Sequence, residues 1–164
     1  MTARFIHAIW LGSGIFLVLA TQAAFKAAAS PTAAAAFVGA LLGRWHYIAL
    51  AAPIALLFLE WKRARTAVLL IIFAGVLFAA VQVLVDLRIR SIRAKSPVPI
   101  SELSRQDPVR RQFGMLHGVS TILLLAQIVA AGAALAVDRE AYEARKTFDL
   151  RPSTLAEPED PNPS

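Results

Sequence analysis

Several polar side chains interrupt long apolar runs in this sequence, at spacings that could build a binding site. Asp86 follows Gln82 by four residues and Ser120 follows His117 by three, so each pair shares one face of a helix. Polar groups are costly inside a bilayer and are retained there to bind a ligand or to hydrogen bond between helices. The predicted ligand-binding residues are His117, Ser120, Gln82, Asp86, Gln22, Arg88 and Arg90.

Some of the charged residues allow other interpretations. Asp86 is four residues from Arg90, which predicts an ion pair at a helix end. Arg88, Arg90 and Arg93 at the end of the third span are interpreted first as ordinary lipid-headgroup contacts, with recognition of an anionic ligand as the alternative.

A metal or haem site is the alternative chemistry. His46 and His117 are predicted to lie at a similar depth on different helices, which is the minimum for a six-coordinate haem or part of a metal site. The sequence has no cysteine to strengthen such a site, and no cofactor is predicted. It also contains no nucleophile elbow, phosphate loop, HExxH motif or paired carboxylates within a span, so no enzymatic activity is predicted.

Four apolar runs must position these residues. A bilayer core of about 30 Å needs about 20 helical residues, and runs of this kind predict spans at about 5–25, 45–61, 66–87 and 112–137. Trp45 and Trp61 are interpreted as interfacial anchors of the second span. The segment between the first two spans is too short to cross and is predicted to be an interfacial or re-entrant helix, with a five-span model as the minor alternative. The fold class is therefore an all-α polytopic membrane four-helix bundle with a short interfacial helix between the first and second spans.

Composition agrees with a membrane domain. Of the 164 residues 57% are hydrophobic, well above the 45–50% or so of soluble domains, so the lipid bilayer is the predicted partner. The net charge of +6 comes from basic residues at the ends of apolar runs, which argues against nucleic-acid binding. The predicted membrane domain is 1–138, and the charged tail at 139–164 is predicted to be largely disordered.

Small residues indicate close helix packing. Glycines at small-xxx-small spacings, or clustered in the first span, allow helices to approach one another. The predicted packing residues are Gly12, Gly14, Gly114 and Gly118. His7, near the start of the first span, is interpreted as a solvated anchor.

The head of the fourth span resembles a known family. Asp107-Pro108, Arg111, Phe113 and then His117-Gly118-Val119-Ser120 are similar to a segment of the transmembrane protein 205-like family of small four-helix membrane proteins. The resemblance covers roughly residues 4–137. It implies a four-helix membrane domain with shared polar positions, and it implies no reaction, because the biochemical function of that family is not established.

Three hypotheses for function follow. The first is a membrane protein, expected in a bacterial plasma membrane, that binds or passes a small molecule, lipid headgroup or ion at the long-loop face. Because four spans leave little room for a pathway within one chain, transport would favour a homo-oligomer. The second is a structural or assembly subunit that docks unknown protein partners. The third is a haem-binding membrane redox protein.

Overall fold

Four helices make up the computed structural model, which describes residues 2–62 and 64–149, with side chains as far as Val137. They are α1 (Thr2–Ala27), α2 (Pro31–Glu60), α3 (Thr66–Lys95) and α4 (Pro108–Asp149). Each is long and apolar enough to cross a membrane. The predicted all-α four-helix fold is confirmed.

The helices form an antiparallel bundle in which each packs against its neighbours in the chain, and α1 also packs against α4. The connections at 28–30 and 96–107 therefore lie at the same end, which we call the loop end. The connection at 61–65 lies at the opposite end, with the start of α1.

Side-chain caps begin two of the helices at the loop end. The Ser30 hydroxyl accepts a hydrogen bond of 3.2 Å from the backbone N–H of Ala33, and Pro31 occupies the first helical turn of α2. Asp107 does the same for α4, because its Oδ1 accepts from the backbone N–H groups of Val109 at 2.7 Å and Arg110 at 3.4 Å. These caps satisfy N–H groups that have no partner within the helix.

The predicted interfacial helix is wrong. From its cap at Ser30 the helix continues without a break to Glu60, a length of about 45 Å at 1.5 Å per residue. Trp45 is consequently in the middle of α2, where it is 4% exposed and its indole N–H donates to the Ser13 hydroxyl at 3.2 Å. Trp45 is therefore a packing residue, whereas Trp61 is exposed, as an interfacial anchor would be.

Helical backbone continues past 139, the predicted start of the tail. The backbone of α4 stays helical to Asp149, eleven residues beyond the predicted end of the membrane domain. The rest of the predicted tail, 150–164, lies outside the described residues.

The core divides into two apolar clusters. The larger one lies away from the loop end and brings Trp10 against residues of the other three helices, including Leu56, Ile72 and Ala131. The smaller one contains Leu17, Trp45, Ala49 and Ala79. Outside the bundle, large apolar side chains such as Phe58, Leu70 and Val129 are exposed, which is the pattern of a surface in contact with lipid.

Only one of the four predicted packing glycines lies at a close helix contact in the described part of the chain. A Cβ added at Gly14 would lie 2.8 Å from Ile128 and 3.6 Å from Trp45. The prediction is wrong for Gly12, Gly114 and Gly118, where a Cβ would meet nothing within 4 Å. The spacing of small residues does not show which side of a helix faces a neighbour.

Two other glycines, Gly75 and Gly43, lie at close contacts between helices. A Cβ at Gly75 would lie 2.5 Å from the Trp10 ring, so α1 and α3 approach closely there. A Cβ at Gly43 would lie 2.7 Å from Nη2 of Arg90, which places that guanidinium beside the α2 backbone.

Candidate functional site

A histidine and a carboxylate meet inside the bundle. Nε2 of His46 on α2 lies 2.9 Å from Oδ2 of Asp86 on α3. Both residues are buried, with 9% and 7% of their surface exposed. The carboxylate of Asp86 therefore contacts a residue of another helix, and not Arg90 as its spacing predicted.

Three further polar side chains continue from this pair towards the bundle centre. The Ser120 hydroxyl donates a hydrogen bond of 2.9 Å to Oδ1 of Asp86 and accepts one of 3.5 Å from the side-chain amide of Gln82. The amide of Gln127 in turn donates to the side-chain carbonyl of Gln82. We call these five residues, His46, Asp86, Ser120, Gln82 and Gln127, the polar network.

The hydrogen bonds of the network point in one direction. Gln127 donates to Gln82, Gln82 to Ser120, and Ser120 to Asp86, so each donor polarises the next and the series ends on the carboxylate. Three buried atoms, Nε2 of His46, Oδ2 of Asp86 and Oε1 of Gln127, have no partner of hydrogen-bonding geometry among the described residues. The 2.9 Å contact between the first two is therefore electrostatic and not a linear hydrogen bond.

A cavity of about 600 Å³ lies between the four helices at the loop-end side of this network, and Gln82, Asp86 and Ser120 form part of its wall. We call it the inner cavity. Its α1–α2 wall is mostly apolar, with Leu17, Phe25 and Leu42 as its large side chains. All of its ionisable residues belong to the α3–α4 wall, and they are Asp86, Arg90, Arg93 and His117.

A second cavity of about 750 Å³ adjoins the first at the loop end. This outer cavity is bounded by the starts of α2 and α4, the end of α3 and the loop 96–101. The two cavities share four wall residues, which are Phe25, Ala35, Arg93 and Phe113. Their common wall places Arg93 at the junction between the bundle interior and the loop-end surface.

The structure brings together most of the predicted site residues. Gln82, Asp86 and Ser120 belong to the polar network, while Gln22, Arg90 and His117 line the inner cavity with exposed side chains. The ring of His117 stacks on Phe113, with 6.1 Å between ring centroids and 3° between planes. Arg88 is exposed and lines neither cavity, so the structure does not bring it together with the others.

The histidines are not arranged as the metal alternative requires. Nε2 of His46 faces a carboxylate, which occupies one of the two nitrogens that a haem iron would need. In the described ranges no group of three or more His, Cys, Asp or Glu residues could hold a metal ion. His7 also differs from its interpretation as a solvated anchor, because it is 1% exposed in the bundle.

Two residues of the polar network were not among the predicted ligand-binding residues. Gln127 follows Ser120 by seven residues, two helical turns along the same face, and an amide within an apolar run was the signal that could have identified it. His46 was considered only as a metal ligand. Its pairing with Asp86 depends on how α2 packs against α3, and a spacing within one helix does not contain that information.

Comparison of the chain with protein-family models found no match, and searches of curated proteins and of solved structures found no significant match, so its function has to be inferred from the site itself.

Proposed function

We propose that this protein is a non-enzymatic, multi-pass membrane protein that binds a small amphiphilic molecule in the inner cavity. The observation that carries the proposal is the cavity itself. It lies between all four helices, and a volume of about 600 Å³ is within the range of about 300–1,000 Å³ that is usual for small-molecule sites.

The chemistry of the two walls favours an amphiphile. The α1–α2 wall offers Leu17, Val18 and Phe25, which would cover an apolar chain or ring. The α3–α4 wall offers the hydroxyl of Ser120 and the exposed imidazole of His117, which can hydrogen bond to a polar group. A wholly apolar ligand would leave the second wall unpaired, and a wholly polar one would leave the first wall in contact with polar groups.

A structural or assembly role is the second candidate, and a specific observation favours it. Gln127, Gln82 and Ser120 hydrogen bond within the bundle and join α3 to α4, as residues that only fix helix contacts would do. A structural role does not require an open cavity beside the polar network. It also gives no reason for polar side chains to face that cavity.

A pair of glycine substitutions separates the two candidates. A Cβ at Gly39, which lines the inner cavity, meets nothing within 4 Å, so Gly39→Leu starts from open space and extends a side chain into the cavity. Gly12→Leu is the matched control, because Gly12 is equally open, is helical and lines neither cavity. Both changes raise helix propensity by a similar amount, roughly 1 kcal/mol.

The measurement is native mass spectrometry after mild detergent extraction. We expect wild type and Gly12→Leu to carry the same small amphiphile and Gly39→Leu to lose it, with all three folded and at the same stoichiometry. If no bound molecule is found in the wild type, or if Gly39→Leu retains it fully, the structural role is the better account.

The proposal has three further parts. They are the resemblance to the transmembrane protein 205-like family, a location in the bacterial plasma membrane, and assembly into a homo-oligomer. Support for the first comes from the head of α4, where Asp107 caps the helix and Ser120 of the His-Gly-Val-Ser segment lies in the polar network. Cross-linking in native membranes tests the last, and recovery of monomer alone would remove it.

A further inference from the structure

The residues at the junction of the two cavities carry an unbalanced positive charge. Arg90 and Arg93 line the inner cavity, and Arg93 and Arg110 line the outer one. Asp86 is the single acidic residue in either wall, and its carboxylate already contacts His46 and Ser120. No carboxylate lies within 4 Å of these guanidinium groups among the described side chains. The cavities therefore favour an anion.

Arg93 is held in a position that suits such an anion. Its Cζ lies 5.1 Å from the centre of the Phe113 ring, a cation–π contact that restrains the guanidinium without neutralising it. Arg93 is also the only charged residue common to both cavities. Its neighbour Arg110 is already engaged, because its guanidinium donates to the backbone carbonyls of Ser101 and Leu103.

The apolar surface begins directly inside this junction. Phe25 belongs to both cavities, and Leu17 and Leu42 extend the apolar wall towards the bundle interior. A molecule with its anion at Arg93 would thus have its chain covered by α1 and α2.

We infer that the bound amphiphile carries a phosphate or carboxylate group that is held by Arg93 where the inner and outer cavities meet, with its apolar chain against the α1–α2 wall. A guanidinium fork pairs with either anion through two parallel N–H···O hydrogen bonds. This inference rests on the proposed function and adds the chemical class of the ligand and the residue that recognises it.

The test uses the full-length protein and defined probes. Wild-type protein is delipidated and then incubated with phosphatidylglycerol, with diacylglycerol of identical chains, which carries no anion, with oleic acid, or with inorganic phosphate alone, and retained molecules are counted by native mass spectrometry. Arg93→Gln removes the proposed contact. Arg88→Gln is the matched control, because it removes the same charge from an exposed position of the same helix that lines neither cavity.

We expect wild type and Arg88→Gln to retain phosphatidylglycerol or oleic acid about tenfold more than diacylglycerol, which corresponds to one charge-assisted recognition. Arg93→Gln should lose most of that preference, and Arg93→Lys, which keeps the charge without the fork, should be intermediate. Retention of oleic acid alone would assign a carboxylate, and retention of phosphatidylglycerol alone would assign a phosphodiester. Either result supports the inference.

Three results would overturn it. Equal retention of diacylglycerol and the anionic probes would show that the anion is not recognised, although Gly39→Leu would still abolish binding if the proposed function is right. An equal loss in Arg88→Gln and Arg93→Gln would assign the preference to surface charge in general. Binding of inorganic phosphate with no lipid retained would mean that the ligand is not an amphiphile. If the wild-type protein retained none of the probes, that result would instead count against the proposed function.

Discussion

The contact between His46 and Asp86 predicts a large energetic coupling. At 2.9 Å and an effective dielectric constant of about 20, the gross attraction between a carboxylate and a protonated imidazole is about 6 kcal/mol. Desolvation of two buried groups offsets much of this attraction, and we expect a net coupling of about 2–3 kcal/mol. Neutral interhelical hydrogen bonds in membranes average only about 0.6 kcal/mol. The size of the coupling therefore distinguishes a charged pair from a neutral hydrogen bond.

A double-mutant cycle with Asp86→Asn and His46→Phe measures this coupling. Asparagine keeps an oxygen to accept the hydrogen bond of Ser120 while it removes the charge. With His46 present, we expect Asp86→Asn to destabilise the protein by about 2 kcal/mol. With Phe at position 46, Oδ2 of the carboxylate would be buried without a partner while Oδ1 keeps the hydrogen bond from Ser120, so the same change should be neutral or stabilising.

The assay is the free energy of unfolding, measured by steric trapping in one detergent and at one pH for all four proteins. The sign reversal is the informative result, because lost helix packing would destabilise in both backgrounds. A coupling below about 0.5 kcal/mol, the usual error of additivity, would refute the reasoning and assign the pair to incidental proximity.

Two other substitutions test the packing and the far end of the polar network. Gly75→Ala should destabilise by about 1–3 kcal/mol because its Cβ would lie 2.5 Å from the Trp10 ring, while Gly12→Ala should not; equal unfolding free energies for these two variants would contradict the close contact. Gln127→Leu should cost less than about 1 kcal/mol, because it removes one donor to Gln82 and also a buried oxygen without a partner. A loss above about 3 kcal/mol in the same unfolding assay would mean that Gln127 contributes more than these contacts indicate.

The four spans could be predicted from the sequence because the bilayer thickness sets a minimum length for apolar helices. The start of α2 could not be located that way. The second span was predicted to begin at 45, yet Arg44, directly before it, is an exposed residue within a helix that begins at Pro31. A charge that faces outward does not end a helix. Hydropathy along the sequence alone does not distinguish such a charge from one at the end of a helix.

The part of the site that could be predicted is the part that depends on how deep each polar residue lies along its span. Gln82, Asp86 and Ser120 lie near the same end of neighbouring spans, and the structure joins them. The partner of Asp86 was not predictable, because Arg90 is its neighbour along the helix and His46 is its neighbour only after α2 and α3 have packed. The cavity, whose walls come from all four helices, depends on the same packing.

The most direct test of ligand binding in the inner cavity is photocross-linking with a diazirine-bearing fatty acid, followed by peptide mapping. The account predicts labels at cavity residues such as Leu17 and Val38, and their loss in Gly39→Leu but not in Gly12→Leu. Labels confined to exposed outer positions such as Phe58 and Leu70, at the same level in both variants, would show that the molecule only surrounds the bundle and would contradict a binding site inside it.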